Sequence, residues 1–431
     1  MAALSYTLGA FALILVLVRF KVPLAAAIFL GTIAIGVLFG LGPVEIAQYV
    51  GLGTIQLRTL GLIAITVALL ALSGTMQAGG QMEQIVSLAK AFFRRPAVTL
   101  AALPALIGLL PMPGGALFSA PMVASAAGET KIPSARLSAI NYWFRHIWEH
   151  WWPLYPGVIL AVTLTETDFG TFVAFQLPMG ICMLAAGLPI LYKAHPDLAI
   201  VTPPAPAGTR RKLLRCTSPI WIIIVVWLAV AGVARLLPAS AGESAHLAGV
   251  IKLASITLGL IASLIWTSRR SRLGRSQLRK IWAGRNIWMM SLLVASVMVF
   301  QYMLGQVGAA GRIGKELQAL HVPVVLVVIA LPFVAGVVTG LAIGFVGASF
   351  PIVLGLVAAL GGEVTIWPYV VLAYAFGHIG MMLSPLHLCH VMSNRYFQTT
   401  FGPVYRYTIV PTVLMAVMAG AYAAILKYWL G

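Results

Sequence analysis

Apolar stretches long enough to cross the ~30 Å hydrocarbon core of a bilayer recur from one end of this 431-residue chain to the other. Short polar or basic loops separate them, and no polar region is long enough for a separate soluble domain. Hydrophobic residues make up 61% of the chain, against about 45–50% in soluble globular domains. The sequence therefore predicts an all-α polytopic membrane protein. Spans are expected near 4–18, 22–41, 59–78, 137–163, 169–192, 217–237, 248–267, 281–305, 365–392 and 407–426, about ten in all. Two further apolar segments, 96–128 and 322–361, are broken near their centres by Gly and Pro and are expected to form re-entrant helical hairpins.

A net charge of +18 invites a nucleic-acid reading, but the basic residues sit between hydrophobic spans instead of gathering on one face. They read as topology signals. With each broken segment returning to its own side, twenty Lys and Arg fall on the inferred cytoplasmic side and six outside. The expectation is a multi-pass membrane protein with its N-terminus outside. The Pro-rich basic stretch 195–216 reads as a cytoplasmic linker between 1–194 and 217–431. Cys182, Cys216 and Cys389 form no metal-knuckle or redox spacing, so no cofactor and no metal site is assigned.

The two halves carry matching text. Tyr142 to Gly157 (YWFRHIWEHWWPLYPG) and Tyr374 to Cys389 (YAFGHIGMMLSPLHLC) share Tyr, Phe, His, Ile, Pro and Leu at an offset of 378 − 146 = 232. Leu103 to Gly108 (LPALIG) matches Leu331 to Gly336 (LPFVAG) at 228, and Ser119 to Pro121 matches Ser349 to Pro351 at 230. Three matches in order predict a duplicated unit. The span 59–78 leads toward the inside charges Lys90, Arg94 and Arg95, whereas its counterpart 281–305 starts from the inside run ending at Lys280. The copies are therefore expected to be inverted, a pattern of secondary transporters whose substrates bind between the repeats.

The breaks nominate candidate residues. Pro111, Pro113, Gly114 and Gly115 make a straight helix untenable in the first hairpin, and Gly336, Gly340, Gly344 and Gly347 precede Ser349 in the second. A hairpin tip leaves unpaired N–H groups that suit an anion, which nominates Pro113, Gly114, Gly115, Ser119, Gly347 and Ser349. Of ten acidic residues only Glu149 lies well inside a span, one turn after Arg145, so an ion pair on one helix face is expected. Intramembrane ionisable groups are functional candidates by default. Asn141, Arg145, His146 and Glu149 are nominated from the first copy, and His378, Ser384 and His387 from the second. The tryptophans at 143, 148, 151 and 152 suit a cavity lining, or an interfacial belt for at least two of them. His146, Glu149 and His150 also spell the H-x-x-E-H of one zinc-peptidase class. An intramembrane metallopeptidase is therefore an alternative reading, as is a passive anion channel.

At PMPGGALFSAP, NYWFRHIWEHWWPLYPG and SPLHLCHVMSNRYF the sequence resembles a prokaryotic membrane family, domain of unknown function 401, related to gluconate-type permeases of the ion transporter superfamily. The resemblance covers nearly the full chain. It implies two inverted repeats with re-entrant hairpins, symport of an anion with H⁺ or Na⁺, and a homodimer moving by an elevator-like displacement. The Ser-Asn-Thr hairpin motif of some dicarboxylate relatives is absent. The expected function is ion-coupled permeation of a small anionic solute, with no enzymatic activity; the expected partners are that solute, the coupling cation and the lipid bilayer, and not nucleic acid.

Overall fold

The computed structural model describes residues 2–90, 96–109, 115–128, 132–192, 208–236, 244–319, 323–360 and 365–430. Every regular element among them is helical. In chain order these are α1 (Ala2–Arg19), α2 (Leu24–Leu38), α3 (Pro43–Ile55), α4 (Leu57–Ala78), α5 (Gln81–Lys90), α6 (Pro96–Gly108) and α7 (Ala116–Ala127). There follow α8 (Ser134–Arg145), α9 (Pro156–Leu164), α10 (Phe169–Tyr192), α11 (Thr209–Cys216), α12 (Ser218–Leu236), α13 (Ser244–Ser271) and α14 (Arg275–Trp282). The last seven are α15 (Arg285–Gln306), α16 (Ala309–Ala319), α17 (Val324–Thr339), α18 (Ala342–Ala358), α19 (Trp367–Leu383), α20 (Leu388–Tyr396) and α21 (Phe401–Leu430). Six helical stretches among the described residues are long and apolar enough to cross a membrane. Helices suit that setting because hydrocarbon offers backbone groups no partners and a helix satisfies them internally.

The chain divides into two compact units that cut across its sequence halves. One holds Met1–Ile55, Leu100–Leu198 and Leu293–Gly431; the other holds Gln56–Thr99 and Ala199–Leu292. In the larger unit α17 packs on α18 and α19, α19 on α21, and α9 on α18. Its interior mixes apolar side chains with a few charged and polar ones. Val410, Val413 and Val417 of α21 face outward, while Arg145, His146, His150, His378 and His390 are buried. Glu316 of α16 accepts hydrogen bonds from the Ala3 and Leu4 N–H groups at 3.0 and 2.8 Å, capping the electropositive start of α1. In the smaller unit α13 packs against α4 and α12, and the Ser263 hydroxyl donates to the Pro219 carbonyl at 2.8 Å.

Several helix bounds coincide under the sequence offsets. Shifted by 228, α4 lands on α15 at both ends (285 − 57 and 306 − 78), and the start of α6 lands on the start of α17 (324 − 96). Shifted by 232, α9 lands on α20 at both ends (388 − 156 and 396 − 164), and the start of α10 on the start of α21 (401 − 169).

The breaks that Trp152-Pro153 and Pro385 predict are present: residues 146–155 separate α8 from α9 and residues 384–387 separate α19 from α20, so the spans 137–163 and 365–392 are each interrupted. Pro153 and Pro385 lie in these gaps, where each lacks an N–H and disfavours helical geometry in the residue before it. The second apolar segment breaks at Gly340, whose φ of +62° suits glycine, and not near Gly344–Ser349. Gly347 and Ser349 therefore lie within the continuous helix α18. The break of the first segment is expected at Pro111–Gly115; Pro113 and Gly114 fall outside the described residues, as do residues 195–207 of the linker.

Candidate functional site

The site lies in the larger unit, where the two gaps meet the ends of α6, α7 and α17. After Arg145 the chain tightens into turns, with the His146 N–H donating to the Trp143 carbonyl and the Glu149 N–H to the His146 carbonyl, both at 3.1 Å. This removes the expected helical register between Arg145 and Glu149. The aromatic side chains of the gap then satisfy carbonyls that the end of α6 leaves without intrahelical partners. The Trp148 indole N–H donates to the Ala105 carbonyl at 2.6 Å, that of Trp152 to the Leu109 carbonyl at 2.9 Å, and the Tyr155 hydroxyl to the Gly108 carbonyl. Trp143 is buried and donates to the Met183 carbonyl at 2.9 Å. Trp143, Trp148 and Trp152 thus each donate to a backbone carbonyl of the protein.

The second gap repeats these contacts in simpler chemistry. The Ser384 hydroxyl donates to the Val337 carbonyl at 2.6 Å, and 384 and 337 are the positions that Trp152 and Leu109 reach under the offsets 232 and 228. A Cβ on Gly108 would strike the Arg145 carbonyl, and a Cβ on Gly336, 228 residues later, would strike the carbonyl of Gly377, 232 residues after Arg145. Where the Trp148 indole meets the Ala105 carbonyl, Gly380 lies against the carbonyl of Phe333.

Side chains cross between the two gapped crossings almost reciprocally. The Tyr142 hydroxyl donates to the Met382 carbonyl at 3.0 Å, while its counterpart Tyr374 donates to the Glu149 carbonyl at 2.8 Å. His146 and His378, the histidines common to both copies, each meet a histidine of the other copy's gap. The Nε2 atoms of His146 and His387 are 3.0 Å apart, and the rings of His150 and His378 are 4.2 Å apart. His390 stacks on Tyr142 at 4.3 Å. Neither ring nitrogen of His150, His378 or His390 has a hydrogen-bond partner among the described residues. Buried polar groups are normally paired, so three such rings together ask for a functional account.

Arg145, at the end of α8, lays its guanidinium against Gly115 at the start of α7, where a Cβ would overlap it. Glu149 Oε1 is 3.7 Å from His146 Nε2. Asn141 bridges α7 and α20, donating to the Ala116 carbonyl at 3.2 Å and the Ser393 hydroxyl at 2.7 Å, and the Ser138 hydroxyl donates to Asn394 Oδ1 at 2.7 Å. Of the nominated residues, Gly115, Asn141, Arg145, His146, Glu149, His378, Ser384 and His387 are thus built into the two gapped crossings or the helix ends against them. Three do other work. Ser119 donates back to the Gly115 and Ala116 carbonyls of its own helix, Ser349 donates to the Phe345 carbonyl at 2.6 Å, and Gly347 makes room for Val297.

The metallopeptidase arrangement is not assembled, because that motif needs both histidines on one helical face. The helix ends at Arg145, and His146 turns to His387 while His150 turns to His378. Tyr142, Tyr374 and His390 were not nominated, although both tyrosines stood in the repeated text. Nothing in the sequence signalled that the indoles would cap α6.

The sequence profile of the family described as "Protein of unknown function (DUF401)" matches residues 3–201 and 245–425. The chain belongs to that family. No curated protein matches this family member in sequence. Among solved structures it is similar to the Alcanivorax borkumensis YdaH transporter, at 14% identity and a TM-score of 0.52, over 90% of this chain and 87% of that one. At that identity the likeness concerns the fold.

Proposed function

We propose that the chain is a secondary active transporter that moves a small organic anion by alternating access, coupled to H⁺ or Na⁺. The observation that carries this reading is the contact between the Arg145 guanidinium and Gly115 at the first turn of α7. Both partners are electropositive and buried, and an anionic group beside them would answer both at once. The His146–His387 and His150–His378 pairs, with Glu149, are the groups we assign to proton coupling. Duplication is supported by the coincident helix bounds and by the matched contacts at Gly108 and Gly336. Inversion of the two halves, 1–194 and 217–431, and re-entrant hairpins at 96–128 and 322–361 are supported by the charge distribution and by the break at Gly340. The likeness of fold to the YdaH transporter points the same way. The reading extends to a homodimer in a prokaryotic inner membrane with its N-terminus outside.

Purified protein in liposomes, offered sugar acids, dicarboxylates and monocarboxylates under an imposed pH or Na⁺ gradient, tests this. Accumulation of one anion above its outside concentration is the expected result. Flux that only equalises the two sides would make the chain a passive channel, and no flux of any of these anions under either gradient would reject the reading.

A further inference from the structure

Cys389, unremarkable in sequence, lies beside the first histidine pair. His146, His387 and Cys389 are all buried, and the three ligand atoms they offer lie within 4.8 Å of one another. His146 Nδ1 is 2.6 Å from the Tyr142 carbonyl, which can only accept, so Nδ1 carries the proton and Nε2 presents its lone pair toward His387. Metal-ligating histidines are held in this way, by donating the other ring N–H to a backbone carbonyl. The Nε2–Nε2 separation of 3.0 Å is already within the spacing that two ligands of one ion adopt. With metal bonds of about 2.0–2.3 Å, closing the longest separation to a tetrahedral edge needs a shift of about 1 Å.

We propose that His146, His387 and Cys389 form a binding site for a borderline-soft divalent cation of the Zn²⁺ type, with a fourth position open. The donor set of two imidazoles and one thiolate suits such an ion and suits Mg²⁺ or Ca²⁺ poorly. On binding, the Cys389 thiol loses its proton to solvent and the sulfur bonds the metal, so one proton is released per ion and affinity rises with pH. Bound there, the ion ties the residue after α8 to the gap after α19 and the first turn of α20. The proposal goes beyond the transport reading: an ion held there occupies the lone pairs of His146 and His387 and leaves the proton to His150, His378 and Glu149, and its test does not depend on transport.

The test is titration of the purified, chelator-treated full chain with Co²⁺, followed by absorption spectroscopy. Saturation near one ion per chain is expected, with a thiolate-to-Co²⁺ charge-transfer band in the near ultraviolet and displacement by Zn²⁺. The band disappears in Cys389→Ser and Cys389→Ala, weakens in affinity by ~10-fold or more in His387→Gln, and persists in Cys182→Ser and Cys216→Ser. A rise in melting temperature of the wild-type chain with Zn²⁺ accompanies binding to the folded form. The proposal is overturned if the wild-type chain gives no thiolate band at saturating Co²⁺, or if the band survives removal of the Cys389 sulfur. Transport activity enters neither outcome.

Discussion

The two gapped crossings, α8–α9 and α19–α20, occupy the same frame and spend it differently. In the first, residues 146–155 carry indoles, a phenol, Glu149 and two histidines, and large side chains cap the end of α6. In the second, residues 384–387 hold one small hydroxyl cap, and glycines at 377 and 380 bring backbone directly against α17. What recurs is contact with the carbonyls of paired positions, Ala105 with Phe333 and Leu109 with Val337, and what varies is the chemistry that contacts them. A duplicated frame of this kind leaves one copy free to carry charge while the other carries the close approach. Arg145 stands where the second copy has Gly377, so the cation belongs to one half alone.

The comparison can be broken most forcefully at its shared glycines. Gly108→Ala and Gly336→Ala each drive a Cβ into a backbone carbonyl that cannot swing away. Each is expected to cost about 3 kcal/mol and most of the folded yield in mild detergent. A large loss in one and none in the other would separate the two frames.

Arg145→Gln comes next. It removes the charge present only in the first copy and is expected to weaken binding of the transported anion by roughly 10–100-fold, from the ~1.5–3 kcal/mol of a charge-assisted hydrogen bond. The helices should insert as before, and calorimetric titration of the anion identified by uptake checks the affinity.

The two caps can then be weighed against each other. Trp152→Phe and Ser384→Ala each leave one part-buried carbonyl, that of Leu109 or Val337, without its side-chain donor. A cost of about 1–2 kcal/mol apiece is expected in reversible unfolding. Near equality would sharpen the equivalence, and a cost confined to Trp152 would assign the effect to the indole's bulk.

The smallest effect belongs to a contact with no counterpart. Glu316, whose position 228 residues earlier is Leu88, holds the start of α1. Burial opposes its charged form, but hydrogen bonds from the Leu4 and Ala3 N–H groups hold its carboxyl below the usual range. A lowered pKa means that its contribution is complete above the unfolded value and is lost as pH falls through the folded one. Glu316→Gln is expected to cost under about 1 kcal/mol near neutral pH, with the difference from wild type vanishing in acid, as melting curves across pH would record.

Much of this frame was legible in the sequence because hydrocarbon constrains a chain so tightly. Span lengths, loop charges and the offset between His146 and His378 all follow from one-dimensional patterns. The breaks were visible through Pro153 and Pro385, and the break at Gly340 was among four glycines that could have supplied it. What separated Gly340 from Gly347 is a positive φ, which composition does not encode. The shared helix face drawn for Arg145 and Glu149 assumed a helix through residue 149. The gap that ends it is stabilised by indole contacts to a segment some forty residues upstream, and no local rule reports such contacts. Cys389 was passed over for the same reason, since its neighbours His146 and His387 come from different copies.

The central claim is that the two gapped crossings meet through matched histidine pairs, 146 with 387 and 150 with 378. Cysteines introduced pairwise at these positions, with Cys182, Cys216 and Cys389 removed and a protease site placed within 195–207, test it through a short bifunctional thiol reagent. After cleavage the account predicts that the halves stay joined for His146→Cys with His387→Cys and for His150→Cys with His378→Cys. Halves that separate for both pairs, in protein that still inserts and folds, would contradict it.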